Sequence, residues 1–598
     1  MIHMSERTGF NTIVHEADVC VIGAGCAGMF AAVAAARHGA KVVVMHDRPV
    51  VGGNASGEIR MWIRGARGRD KHETGLMEEL ALTNLRRNPM LNFSIWDSVT
   101  YEMLINEPNI ELLLNCSCLD AEMDGDRVIS VKGWQTTTQQ YHVVKAKIFS
   151  DCSGDSILAP LTGAEFRQGR EGRDEFGESI APEVSDNCTM GNSCLFQIRE
   201  HDREIPFKAP DWAVKFTKES LQHRVSTFGR RFSLDNYWWI ELGGMQDAIG
   251  DAEELRHQLL KIVFGVWDYY KNSEEMREET KNWELDWVGF LPGKRESRRY
   301  VGDHILTQYD VTAEGRFDDL VAYGGWPMDD HHPAGFATTE PANINHKAPS
   351  PFGIPYRCLY SKNIANLMFA GRNISCTHTA MSSCRVMATC GILGQAVGTA
   401  AAMAVQYDTT PRGIYESHIA ELKQRLMEDD CWLPFNRRAL TPVMDGITVT
   451  AGGADASVLL DGLDRTIDGD DHLLTCDFGS EIVATLPEAR EVREIGFIFD
   501  SDINRDSCPS EDRRYRDMPL RCNYFKTDPL FFLPDPLMRD FKLYIDSGDG
   551  EWKLTADVTE NYRRLWKLPV DGKVSRVKLV PERAWGAEKA HVYSIMMK

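Results

Sequence analysis

Three glycines, Gly23, Gly25 and Gly28, interrupt an apolar run and leave few folds open to the chain around them. Residues 17–22 (Ala-Asp-Val-Cys-Val-Ile) read as a short buried strand, and residues 29–38 as an Ala-rich helix. Residues 41–45 form a second strand. Strand, glycine turn, helix and strand follow within about thirty residues, which is the unit that seats a pyrophosphate on a helix N-terminus. Gly23 permits the tight turn, Gly25 lets the backbone approach the phosphates, and Gly28 allows helix and strand to pack closely. Cys26 and Ala27 lie in the same turn and join the expected cofactor contacts. An acid is expected at the end of the second strand, where His46 stands and Asp47 follows. Asp47 is one candidate ribose ligand; the alternatives make His46 a ribose partner or a residue that faces solvent.

The turn also accounts for the first of two uncharged stretches, residues 19–36 and 386–407, each close to the ~18–20 residues that span a bilayer. Three glycines in six residues suit a turn rather than a membrane helix, and Asp18 and Arg37 flank the stretch as a β-α-β edge would. At 598 residues, against roughly 150 per domain, the chain has room for two to four domains. Its 88 acidic and 67 basic residues leave a net charge of −21, which repels a phosphate backbone and excludes nucleic acid as an expected partner. Fifteen cysteines form no CxxC pair, which points to a reduced compartment and to no metal site. Residues 1–18 hold no apolar run ahead of the first charged cluster, so the expected location is the cytoplasm.

Further along, Arg48-Pro-Val-Val-Gly52-Gly53-Asn54-Ala-Ser56 completes the run HDRPVVGGNAS. This run resembles the segment after the second strand in FAD enzymes of the fumarate reductase and succinate dehydrogenase flavoprotein superfamily. Asp151-Cys-Ser-Gly154-Asp155 resembles the motif that closes the third strand of the FAD domain. Residues 366–398 resemble the segment that returns to cover the flavin. Within that superfamily the chain is similar to an FAD-dependent oxidoreductase family that carries DRPxxGGNAS, GKRESRR, GGWPxD and AGRxIS…RVMATC blocks. Here they occupy residues 47–56, 293–299, 324–329 and 370–390, and the resemblance covers roughly residues 17–410. It implies FAD, held by Arg48, Gly52, Gly53, Asn54, Ser56, Gly154, Asp155, Gly371 and Arg372, with Met387 and Gln395 from the returning segment. No second strand-GxGxxG-helix unit is present in the sequence, so electrons are expected to pass between flavin, a small-molecule substrate and a separate acceptor or donor.

Residues 386–407 then read as a buried helix with its N-terminus toward the flavin's pyrimidine side, where negative charge gathers on reduction. Gly391, Gly394, Ala396 and Gly398 permit close packing on the cofactor domain, and no membrane partner is expected. His378 lies between the Ala-Gly-Arg strand end and this helix; it is a candidate catalytic residue, or a loop histidine satisfied by backbone. Arg385 precedes a helix end that is already positive, which asks for an anionic partner: a substrate carboxylate, reduced flavin or an acidic side chain. In Trp326-Pro-Met-Asp329-Asp330-His331-His332, Asp329 and His331 form the preferred pair of base and orienting group. Arg357, on the return path to the cofactor domain, is a candidate substrate contact. Residues 294–299 carry five charges in six positions and read as a solvated face or a salt-bridge network.

Beyond about residue 442, short alternating strands at residues 447–450, 494–499, 541–545 and 574–579 suggest an all-β sandwich. It resembles the galactose-binding-like jelly roll. Residues 509–517 are expected to form a solvated loop. The expected fold is α/β: a split Rossmann-like FAD-binding domain (12–160 and 360–440), an inserted α+β substrate domain (161–359) and the sandwich (441–598). The expected activity is hydride transfer between flavin N5 and a small polar substrate, sugar-derived or carboxylated. The alternatives are a lyase or epimerase that uses FAD transiently, and a flavin-containing carbohydrate-binding protein without turnover. Assembly into a homo-oligomer stays open.

Overall fold

The computed structural model describes residues 10–221, 224, 236–510, 515–516 and 519–598; most of the loop expected at residues 509–517 lies outside them. Val19–Ile22 (β1), Val42–Met45 (β2), Ile110–Leu113 (β3), Ile148–Asp151 (β4) and Leu367–Phe369 (β5) form a parallel sheet in the order β5-β4-β1-β2-β3. All but the edge strand β3 are buried at every position, which is why β1, β2 and β5 read as unbroken apolar runs rather than as alternating ones; β4 ends on buried Ser150 and Asp151. The chain leaves β1 toward β2 on one side and later places β4 on the other. Such a reversal opens a crevice at the carboxyl ends of the strands.

Cys26–Arg37 (α1) follows β1 and is buried except at Arg37. His378–Cys384 (α2) and Met387–Gln406 (α3) follow β5. Helix α3 is long and apolar enough to cross a membrane by composition, and the fold buries it inside the protein. Its small residues let it press on α1: a Cβ at Gly394 would lie 2.0 Å from the Ala27 carbonyl oxygen, and one at Gly398 would lie 2.1 Å from that of Ala31. Backbone meets backbone along this seam, so no side chain larger than hydrogen fits.

The described residues cluster into two compact units. The first takes in Met1–Gly65, Asn92–Ile419 and Leu520–Pro529, so the sheet and the expected insertion belong to one unit. Within it, Asn192–Ser193 pairs with Glu241–Leu242 and Gly293–Lys294, and Met328–His331 pairs with Asn343–His346. The helix Ala252–Asn272 turns Leu259, Val263, Val266, Trp267 and Tyr270 into an aromatic-rich core, at the spacing of one helix face.

The second unit comprises Ala66–Leu91, Ala420–Pro519 and Leu530–Lys598. Ile482–Phe499 (β6), Met538–Asp546 (β7), Leu565–Ala584 (β8) and Ala590–Met597 (β9) dominate it. The long strands exceed the segments legible in sequence because register shifts after Thr485 and Val492 let β6 bend and continue. Its first part pairs with Thr448–Ala451 and its last part with β9, while β8 accompanies both. The result is an antiparallel β-sandwich around Phe497, Phe541, Leu543, Val577, Leu579 and Ile595. Residues 66–91 join this unit, where buried Glu78 accepts hydrogen bonds of 2.6 and 3.0 Å from buried Arg505.

Candidate active site

The glycine turn is held by contacts that exclude side chains. Gly23 takes φ +91°, and a Cβ there would lie 2.6 Å from the Cys152 carbonyl oxygen, in the loop after β4. A Cβ at Gly28 would lie 1.9 Å from the Gly23 oxygen. Gly25 differs: it is the extended N-cap of α1, no described side chain caps it, and its added carbon would meet only the Gly53 Cα, at 3.8 Å. The first N–H groups of α1 are thereby left for an anion. The second glycine run closes on this turn. The Gly52 N–H donates to Ala24 O at 2.8 Å, and a Cβ at Gly53 would lie 2.9 Å from the Gly25 Cα.

Around this cradle sit buried polar atoms with no hydrogen-bond partner among the described residues: Ser56 Oγ, Arg48 Nη1, Arg372 Nε and Asn373 Oδ1. Orphaned donors and acceptors beside a turn shaped for phosphate fit a dinucleotide such as FAD, which would satisfy them.

His46 is 1% exposed, so the solvent-facing alternative is corrected. Its Nδ1 accepts from the Ala24 N–H at 3.1 Å, and its Nε2–H donates to Val50 O at 3.0 Å. Both ring nitrogens are thus engaged within the chain, and His46 splints the two glycine runs rather than reaching a ribose. Burial, reinforced by nearby Arg48, pushes its pKa down to about 4. Asp47 is largely exposed at the strand end. Cys26 opens α1, with its Sγ 3.9 Å from Gly52 O; burial pushes this thiol up to about 12. Ala27 serves the α1–α3 seam through its carbonyl. Met387 is half-buried at the first position of α3, and Gln395 is buried within that helix.

Asp155 ties the cofactor loops to the insertion. It accepts from Lys294 Nζ at 2.6 Å, Arg372 Nη2 at 2.8 Å and Ser297 Oγ at 2.8 Å. Burial opposes its ionisation, but these cations hold its pKa well below the usual range. Gly154, at φ +77°, lies against the Arg372 guanidinium, and Gly371 takes φ +117° next to it. Asn54 donates to Lys294 O at 3.0 Å.

The next residues of that block are not a solvated face. Arg295, Glu296, Ser297 and Arg299 are all buried, which corrects that reading in favour of the salt-bridge network. Glu296 pairs with Arg299 and accepts from His378 Nδ1 at 2.9 Å. Arg299 also reaches Glu171 at 2.8 Å, and Glu171 accepts from the His378 N–H at 2.8 Å. His378 Nε2 lies 3.3 Å from Asp330 Oδ1. Burial alone would lower the His378 pKa; Glu296 and Asp330 outweigh it and lift the value to about 9. The backbone-satisfied loop histidine is therefore corrected to a charged one at the start of α2.

A second chain of contacts runs beside the first. His331 Nδ1 lies 2.6 Å from Glu241 Oε2, and its Nε2 lies 3.4 Å from Asp329 Oδ2. Asp329 also receives Arg385 Nη2 at 3.3 Å and the Asn343 amide. Burial opposes its charge, yet His331 and Arg385 hold its pKa well below normal. The anionic partner asked for by Arg385 is thus Asp329. Its placement is also less anomalous than the sequence suggested, because Arg385 is the C-cap of α2, where a cation is favoured.

Asp330, one position on from the expected base, lines a cavity of about 330 Å³ together with Arg170, Cys188, His331, His332 and Glu340. The Asp330 pKa is lowered, because His378 and Arg170 outweigh its burial. Arg357 is not brought to this network: Asp319 holds it in a bidentate pair at 2.9 and 3.1 Å. Glu171, Glu241, Glu296, Arg295 and Arg299 were missed as site residues. For three of them the charge density of GKRESRR was the available signal; Glu171 and Glu241 stand in no motif.

A parallel sheet with its glycine turn at the switch point, orphaned polar atoms around that turn and a buried charge network beyond it define a dinucleotide-binding enzyme. The model for the family described as FAD dependent oxidoreductase matches residues 18–426, and the chain belongs to that family. No curated protein matches the chain. Among solved structures, a geranylgeranyl bacteriochlorophyll reductase-like protein from Thermoplasma acidophilum is similar at 10% identity and a TM-score of 0.30, over 70% of this chain and 85% of that one. A family 32 carbohydrate-binding module from Streptococcus pneumoniae EndoD is similar at 16% identity and a TM-score of 0.19, over 26% of this chain and 97% of that one. The family 32 module of Clostridium perfringens NanJ, solved with galactose, is similar at 13% identity and a TM-score of 0.18, over 26% and 95%.

Proposed function

We propose that the enzyme oxidises or reduces a small hydroxylated substrate, sugar-derived or carboxylated, seated in the cavity beside Asp330, with a separate electron acceptor or donor. Bound FAD would supply two-electron exchange at its N5 position. The observation that carries this reading is the double contact of residues 293–299. Lys294 touches the cofactor loops through Asp155 and Asn54, while Arg295, Glu296 and Arg299 hold Glu241, His378 and Glu171. One short segment thus walls the cofactor cradle on one side and the polar network on the other.

Asp330, ionised and facing the cavity, takes the proton of a substrate hydroxyl. His378, locked between two carboxylates, keeps positive charge next to it. Arg170, held by Asp186 at 3.0 and 2.5 Å, lines the same cavity and places positive charge beside a carboxylated substrate. Stopped-flow bleaching of the flavin against sugars, glycosides and hydroxy acids is expected to find a substrate, and Asp330→Asn to slow bleaching by about 10²-fold or more. An unchanged rate in that variant would remove Asp330 from the proton transfer.

A further inference from the structure

Asn192 is completely buried, and neither its Nδ2 nor its Oδ1 has a partner among the described residues. Buried carboxamides are almost always hydrogen-bonded, so one with both ends idle marks a missing partner. The neighbouring Ser193 shows the ordinary case: its hydroxyl donates to Trp238 O at 2.8 Å and accepts from Arg295 at 2.9 Å.

Register says where the idle amide points. Asn192 stands directly opposite Lys294 in the antiparallel pair, so the two side chains leave the same face of the small sheet, while Ser193 leaves the other. The Lys294 amine ends on Asp155, in the loop pressed against Gly23 and Arg372. Asn192 therefore faces the cofactor loops. It does so at the end nearest the substrate network, since the residues after Lys294 run straight into Glu241 and His378.

We propose that Asn192 is a flavin-contacting residue that reads the imide edge of the isoalloxazine ring. A carboxamide presents an N–H donor beside a C=O acceptor. The imide edge presents the complement, a carbonyl beside an N–H. The inference rests on FAD binding, which the family establishes, and not on the choice of substrate.

The test removes flavin from the full-length protein, titrates FAD back by fluorescence quenching, and repeats this for Asn192→Leu and, should that variant not fold, Asn192→Ser. The variant is expected to bind FAD roughly tenfold or more weakly. The flavin midpoint potential is expected to move to more negative values, because an N–H donor to the ring is lost as it takes up electrons. The thermal midpoint of the flavin-free variant is expected to stay level or rise, since the amide removed had no partner there. A fall in that midpoint with unchanged FAD affinity would make Asn192 structural and overturn the proposal. So would an unchanged potential, or a rise in KM alone. If the wild-type protein itself does not take up FAD, the proposal fails together with the cofactor, whereas failure of the substrate panel with normal flavin uptake touches only the substrate reading.

Discussion

His46 and His378 are both nearly sealed from water, at 1% and 5% exposure, yet the two regions that hold them drive them to opposite charge states. His46, in the cofactor cradle, has only backbone as its hydrogen-bond partners; burial and Arg48 outweigh the Asp47 carboxylate and push it down to about 4. His378, in the buried network, lies between Glu296 and Asp330 and is lifted to about 9. Burial disfavours the imidazolium in both places; the charge of the neighbours decides which side wins. The cradle is built by leaving side chains out where backbone must approach backbone. The network is built by packing charges so densely that each satisfies the next.

The contrast predicts different kinds of failure. The largest effect is expected in the cradle, where Gly28→Val drives a carbon into the Gly23 carbonyl at 1.9 Å and neither backbone can give way. Near-ultraviolet circular dichroism and flavin content should both be lost. Gly25→Ala, whose new carbon meets nothing nearer than 3.8 Å, should keep the fold and lose FAD affinity. If both variants fail alike, the distinction between a packing glycine and a phosphate glycine is wrong.

In the network, Glu296→Ala strands Arg299 and His378 without their shared carboxylate. Breaking a buried pair in this way costs about 3–5 kcal/mol, readable from denaturant midpoints. A loss below about 1 kcal/mol would show that the network is hydrated and loosely held.

The pH response is the smallest effect and the sharpest test of the comparison. His46 has a folded value of about 4, below its ordinary 6.5, so its contribution is present above pH 6.5 and lost as pH falls toward 4. For His378 the folded value of about 9 lies above 6.5, so its contribution is present below pH 6.5 and lost as pH rises through 9. Each limb is worth up to about 3 kcal/mol. Unfolding of the cofactor-bearing unit, followed across pH, should therefore be most resistant near pH 6.5. Glu296→Gln should flatten only the alkaline limb; if the acid limb moves instead, the two histidines have been assigned the wrong way round.

Much of the cradle was legible in the chain itself. A strand, three glycines and an Ala-rich helix are local features, and the clash distances at Gly23 and Gly28 restate in ångströms what their spacing implied. The uncharged residues 386–407 were legible as a buried helix for the same reason, because a run of small apolar residues can be satisfied only by close packing. What sequence placed wrongly was the setting of the charges. GKRESRR admitted a solvated face because charge density carries no information about depth. Asp329 and His331, paired on sequence, do meet at 3.4 Å, while Asp330, one position on, lines the cavity.

The amino-acid sequence thus determined by itself the glycine turn and the strands and helix that flank it, since these depend on residues within a few positions of one another. Only the tertiary structure decided the chemistry of the site. Glu171, Glu241, Glu296, Asp330 and His378 come from segments more than two hundred residues apart at the extremes, and their charge states are set by the neighbours that folding supplies. Partner identity and burial fix those states, and neither exists until the chain has closed on itself.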